Sequence, residues 1–160
     1  MAITLAQIID AVEDTLDGAT TVVRSQSYDE LTEGVHPADM PLLQVYPEAN
    51  LGVDAGGGTS DRFTFGGKGG DENTPLRQKE YAIHADYYAQ QRSHIGEDMS
   101  ALVDGIDAME TVLESQDVKN YFGLAGIRSF TWSWSRVTFV YGDPQMSYVG
   151  ARFVINVRVF

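Results

Sequence analysis

The chain has 160 residues, 43% of them hydrophobic, with 23 Asp and Glu against 11 Lys and Arg, a formal net charge of −12 and no cysteine. This length and apolar content suit one domain with its own core, so a single α+β domain over residues 1–160 is expected. The missing cysteines exclude disulfide staples, thiolate chemistry and cysteine-ligated zinc. Sparse, unclustered bases argue against gripping DNA through its phosphates, whereas an acidic wall past which DNA slides without sticking is compatible with the charge. There is no run of 18 apolar residues, so no membrane span is expected. Met1 to Thr4 has neither a basic n-region nor an apolar h-region, and the expectation is a soluble cytoplasmic product.

The first helix is marked by Thr4 and Gln7, a T-x-x-Q capping box. Leu5, Ile8, Ile9, Val12 and Leu16 follow at helical spacing, and Asp10, Glu13, Asp14 and Asp17 take much of the other face. The late acids oppose the helix dipole, so stability has to come from the apolar face. Gly18 is expected as the left-handed residue that ends the helix. Thr20 to Ser25 predicts a short strand from its β-branched residues, and Met40 to Tyr46 a second strand bounded by Pro41 and Pro47.

Residues 48–75 hold eight of the 16 glycines. A long, functional, flexible loop is expected there, with a brief strand or hairpin arm at Arg62-Phe63-Thr64-Phe65. Leu76 to Tyr88 predicts a long strand with Tyr81, Ile83, Ala85 and Tyr87 on one face and Glu80, His84 and Asp86 on the other. A helix over about 93–115 follows. Its apolar stripe is Ile95, Met99, Leu102, Val103, Ile106, Met109 and Leu113, and Glu97, Asp98, Asp104, Asp107, Glu110 and Glu114 cover the remainder.

The C-terminus predicts a hairpin of Ile127 to Tyr141 and Met146 to Phe160 around Gly142-Asp143-Pro144-Gln145. In the first arm Phe130, Trp132 and Trp134 lie on the even side. After Arg136 the apolar side passes to Val137, Phe139 and Tyr141. A bulge near Ser135-Arg136 explains that flip, as does a strand that leaves its own core and buries its far end against a neighbouring subunit. The order is α-β-β-loop-β-α-β-β. It fits an α+β fold with an antiparallel-rich sheet of about five strands and two helices packed on one face.

Little in the sequence assembles into chemistry. There is no G-x-S-x-G elbow, and His36, His84 and His94 offer no H-x-x-x-H zinc spacing. His84 and Asp86 share a strand face, either as a metal or acid–base pair or as a loose ion pair on a solvated face, and the second is favoured because no third ligand is near in sequence. Gly66-Gly67-Lys68-Gly69-Gly70-Asp71 lacks the Ser or Thr that follows Lys in a phosphate loop and the tandem repetition of a calcium repeat. The helix acids repeat at solvent-face spacing, which makes them a charged surface rather than paired catalytic carboxylates. Phe130, Trp132 and Trp134 are a core or subunit-contact face in preference to a stacking platform, given so little positive charge nearby. No catalytic residue, metal or cofactor is expected.

The arrangement resembles the tail terminator family of tailed bacteriophages, also called tail completion or head–tail joining proteins. The resemblance lies in Glu80-Tyr81-Ala82-Ile83-His84-Ala85-Asp86-Tyr87-Tyr88-Ala89-Gln90 running into the acidic helix to Ser115. The helix at Leu5-Ala6-Gln7-Ile8-Ile9 and the last strand at Phe153-Val154-Ile155-Asn156-Val157 add to it, and it covers nearly the whole chain. It implies a non-enzymatic virion protein of the tail or neck, assembled in the bacterial host cytoplasm. It implies a ring, usually a hexamer, that caps the head-proximal end of the tail tube, ends tube polymerisation and joins the tail to the neck. The implied partners are further copies of itself, the tube protein and a neck or head-completion protein, with genomic DNA passing through the lumen without sequence-specific binding.

The family's loop that orders on docking corresponds here to Leu51 to Thr74. Leu51, Asp54, Arg62, Phe63, Phe65, Lys68 and Asp71 are therefore the expected contacts with the tube or a neighbouring subunit. Arg136, Phe139, Tyr141, Tyr148 and Arg152 are the expected subunit interface. A neck connector or tail-tube-like subunit is the alternative, and a small ligand-binding domain or enzyme a more distant one.

Overall fold

The computed structural model describes residues 3–19, 21–31, 35–47, 60–64, 76–92, 95–141 and 146–159, without the side chains of 60–64, 76–79, 95–97 and 141. The elements run α1 (Leu5–Asp17), β1 (Arg24–Gln26), β2 (Leu42–Pro47), β3 (Ser60–Thr64), β4 (Leu76–Gln91), α2 (Ile95–Glu114), β5 (Ile127–Tyr141) and β6 (Met146–Val159). Short 3-10 turns lie at Pro37–Asp39 and Tyr121–Gly123. No helix among the described residues is long and apolar enough to cross a membrane.

The capping box forms. The Thr4 hydroxyl accepts from the Gln7 N–H at 3.2 Å, and the Gln7 side chain accepts from the Thr4 N–H at 2.9 Å. Ile8, Ile9, Val12 and Leu16 are all buried; each stabilises the fold by roughly 1.5–3 kcal/mol through the apolar surface it removes from water. Gly18 corrects the expectation: its φ of −68° is right-handed, so any residue can adopt it, and its N–H closes a last tight turn onto Leu16 and Thr15. The first strand lies later than its β-branched residues suggest, because Ala19 is buried and its carbonyl holds the Val22 N–H in a turn.

The sheet follows the order β1-β2-β4-β6-β5. β1 pairs in parallel with β2, and the other pairings are antiparallel. β4 is the long central member. Along one side it pairs with β6 from Lys79 to Gln91. Along the other it meets β3 at Leu76 to Glu80 and then β2 at Ile83 to Tyr88. The brief strand expected near Arg62 is thus β3, and it makes the sheet six-stranded.

One face of the sheet carries both helices, whose buried residues share a single core with Ile83, Ala85, Tyr87, Phe153, Ile155 and Val157. Within α2, Leu102, Ile106, Met109 and Leu113 are buried. Val103 is 48% exposed, which removes it from the expected stripe. Asp98, expected in water, is 1% exposed and accepts a hydrogen bond from the Gln90 side chain, because the strand end beside it carries a polar partner.

The hairpin register corrects a further expectation. β5 and β6 pair without interruption from Ser129 to Tyr141, so there is no bulge at Ser135-Arg136; the irregularities lie at Ile127/Ser129 and, between β4 and β6, at Tyr88/Gln90. The apolar side changes because a second, smaller cluster forms on the face away from the helices. Leu42, Tyr88, Phe139 and Tyr148 are buried there, with Val35, Met40 and Val137 packed against them. Regular alternation carries Val137 and Phe139 to that face.

Two glycines mark close approaches. A Cβ at Gly105 would lie 2.2 Å from the Tyr87 ring, and one at Gly150 would lie 2.2 Å from the Tyr87 carbonyl oxygen and 2.6 Å from the Phe139 ring. The Gly150 contact is against backbone, which cannot rotate away. Gly150→Ala should therefore cost about 2–3 kcal/mol and lower the melting temperature by roughly 5–10 °C, measured by circular dichroism. An unchanged melting temperature would contradict this packing.

Candidate functional site

The polar residues converge on the sheet face away from the helices. Asp86 of β4 lies opposite Gln44 of β2 on one side and Arg152 of β6 on the other. Its side chain is 3% exposed. Arg152 donates to it twice, from Nε at 2.7 Å and from Nη2 at 3.1 Å, and the Tyr46 hydroxyl donates to it as well. A second bond joins Arg152 Nη2 to the Tyr46 oxygen at 3.2 Å. Beside this clasp, Tyr88 donates to Gln44 at 3.1 Å and Gln44 donates to Gln26 at 3.0 Å, all within the protein interior.

The electrostatics follow from the geometry. Burial, then the bond to Asp86 and its charge, push the Tyr46 hydroxyl well above the usual tyrosine range. The hydrogen bond to Asp86 is the main cause raising Arg152. With three donors on its oxygens, Asp86 ties β2, β4 and β6 together as a clasp. His84 stands edge-on to the Tyr46 ring at 5.6 Å. The expected solvated His84–Asp86 face is thus corrected: Asp86 is buried and bonded to Arg152, because partners remote in sequence arrive on adjacent strands. Among the described residues no group of three His, Asp or Glu converges to hold a metal ion.

Of the residues expected at an interface, Leu51, Asp54, Phe65, Lys68 and Asp71 lie outside the described residues, and Arg62 and Phe63 have only their β3 backbone pairing described. Arg136 is exposed. Phe139 is buried within its own chain, its ring 4.2 Å from that of Tyr88, and Tyr148 is buried and donates to the Val35 carbonyl. Arg152 is occupied by Asp86. The Tyr141 backbone pairs with Met146, and its side chain is outside the description. At the far end of β5, Phe139 therefore packs within its own chain, with Val137 beside it.

The aromatic run on β5 is also divided. Phe130 packs against Tyr121 and Phe122, and Trp132 packs half-buried on the core. Trp134 is 43% exposed and donates to Glu110 of α2 at 2.7 Å. A small cavity of about 50 Å³ lies between Arg92, Asp98, Met99, Arg136 and Val149. The signal that sequence reasoning missed is Tyr46, whose alternation with Gln44 along β2 marks the polar face that Asp86 shares.

Compared with protein-family models and with curated proteins, the chain matches none.

Arg152→Met should leave Asp86 buried without its charge partner and cost about 3–5 kcal/mol in chemical denaturation, against a smaller loss for the paired change Asp86→Asn with Arg152→Met; equal losses would contradict the clasp. Because the folded state holds the Tyr46 proton more tightly than the unfolded chain, the contribution of Tyr46 to stability is constant below the usual tyrosine range and falls as pH rises through it. Tyr46→Phe should make that alkaline fall shallower in denaturation at stepped pH, and an unaltered slope would remove Tyr46 from the clasp.

Proposed function

We propose that this chain is a structural virion protein, a tail terminator that assembles into a ring on the head-proximal end of a phage tail tube, ends its polymerisation and joins it to the neck. The observation that carries the reading is the run of a long central strand into an acidic amphipathic helix and a terminal hairpin, β4-α2-β5-β6, which resembles the core of that family. Two features support it. The described polar network is spent on holding strands together, as a load-transmitting subunit requires. The acidity of the chain suits a lumen that DNA crosses without adhering.

In this role the protein acts by geometry. Each subunit presents the same surfaces, and closure of the ring sets a single cap per tube. The neighbouring role in the virion, a neck connector, predicts a different defect on deletion. Phage lacking this chain should accumulate overlong tails by electron microscopy if it is a terminator. Filled heads beside separate tails of normal length would assign it to the neck instead.

A further inference from the structure

The alternation of β4 breaks just before α2. Tyr88 pairs with Gly150 and Gln90 with Val149, so Ala89 is the extra residue of a bulge. Strict alternation would send Gln90 to the face of Tyr88. The bulge turns it to the face of Val149, which belongs to the core shared with the helices. Bulges re-aim side chains in this way and recur beside functional sites. Here the re-aimed Gln90 donates to Asp98 of α2, a residue only 1% exposed. Gln90 supplies that bond without supplying charge.

The cavity of about 50 Å³ opens beside this pair, lined by Asp98, Met99, Val149, Arg92 and Arg136. Arg92 follows the end of β4 and is fixed through its backbone, its N–H donating to the Ser147 carbonyl at 2.8 Å. Arg136 pairs with Ala151, a residue of the same core, which puts it on the face that Asp98 packs against. Both arginines are exposed, and neither side chain has a hydrogen bond or ion pair among the described residues. The end of β4, α2, β5 and β6 thus bring together one buried carboxylate, two exposed guanidinium groups and two apolar walls.

We propose that this cavity binds the head group of a free amino acid, an α-ammonium carboxylate. The planar forks of Arg92 and Arg136 take the carboxylate. Asp98 takes the ammonium, since a carboxylate has about four acceptor sites and Gln90 uses one. Met99 and Val149 face the apolar carbon between the two charges. At about 10–15 Å³ for each water-sized group, the space has room for roughly four, the scale of such a head group. A simple anion would meet the like charge of Asp98, and a simple cation would meet two arginines. Only a ligand with both charges a bond or two apart answers the whole lining. The site neither needs the tail reading nor excludes it.

The test is titration of the isotope-labelled full chain with alanine at neutral pH, read by amide chemical shifts. Alanine is the probe because the cavity holds little beyond the head group. Saturable shifts should cluster at Arg92, Asp98, Met99, Arg136 and Val149, with a Kd of about 1 mM. Acetate, methylammonium and phosphate should each bind about tenfold or more weakly, because each lacks one of the two charges. Arg92→Gln and Arg136→Gln, both at exposed positions, should each weaken alanine about tenfold. Asp98→Asn should erase the preference for alanine over acetate. Melting temperatures within a few degrees of the parent establish that the variants fold; if Asp98→Asn does not, the comparison of ligands on the parent decides. No saturable shift up to about 50 mM alanine, shifts centred elsewhere, or arginine changes without effect would each overturn the site. Acetate or phosphate binding as tightly as alanine would overturn the zwitterion and leave a plain anion contact. Tail length plays no part in these measurements, so either claim can fail alone.

Discussion

A charge sits in the middle of a buried strand, and the sheet is built around it. From Tyr81 to Ala89, β4 is buried at every residue except His84, and Asp86 is among them. A lone carboxylate there would cost several kcal/mol. The sequence answers from two directions, with Tyr46 on β2 and Arg152 on β6, 40 and 66 residues away in the chain. The three groups fix the register of three strands at one point, because a one-residue slip would send Asp86 to the opposite face. The ion pair need not add much net stability for this to hold; its work is to make the alternatives costly.

The burial of β4 on both faces follows from the same arrangement. Tyr87 points into the helix layer and reaches Thr21 at 3.1 Å, while its neighbour Tyr88 points into the second cluster. Each aromatic ring needs space, and glycine supplies it: Gly105 lets α2 lie against Tyr87, and Gly150 lets Phe139 lie against the backbone of β6. The helices thus cover one face, while the 35–40 segment and the end of β5 cover part of the other. The described part of that second face also carries the polar residues Gln44, His84, Asp86 and Arg152.

The features legible in the sequence were those that depend on neighbours in the chain. Periodicity placed α1, α2, β5 and β6 to within two residues, and Thr4 and Gln7 marked the helix start from local chemistry alone. The features that escaped depend on residues far apart. Asp86 alternates as a solvent-facing residue does, and only the arrival of Arg152 and Tyr46 across the sheet makes it interior. Phe139 reads as a displaced core residue until Leu42 and Tyr88 are seen beneath it. Val103 fits a helical stripe yet is 48% exposed. Of the residues expected at a subunit interface, Arg136 is exposed. Phe139 and Tyr148 are buried, which alternation alone could not distinguish from exposed aromatics.

The polar interior of the chain thus holds its own strands together, through Asp86 and its bonds to Tyr46 and Arg152. The central claim is the place of this chain in a particle. Antibody-labelled electron microscopy of intact phage tests that claim most directly. The account predicts label confined to one position, the junction between tail tube and neck. Label distributed along the tube, on the capsid or on no particle at all would contradict it.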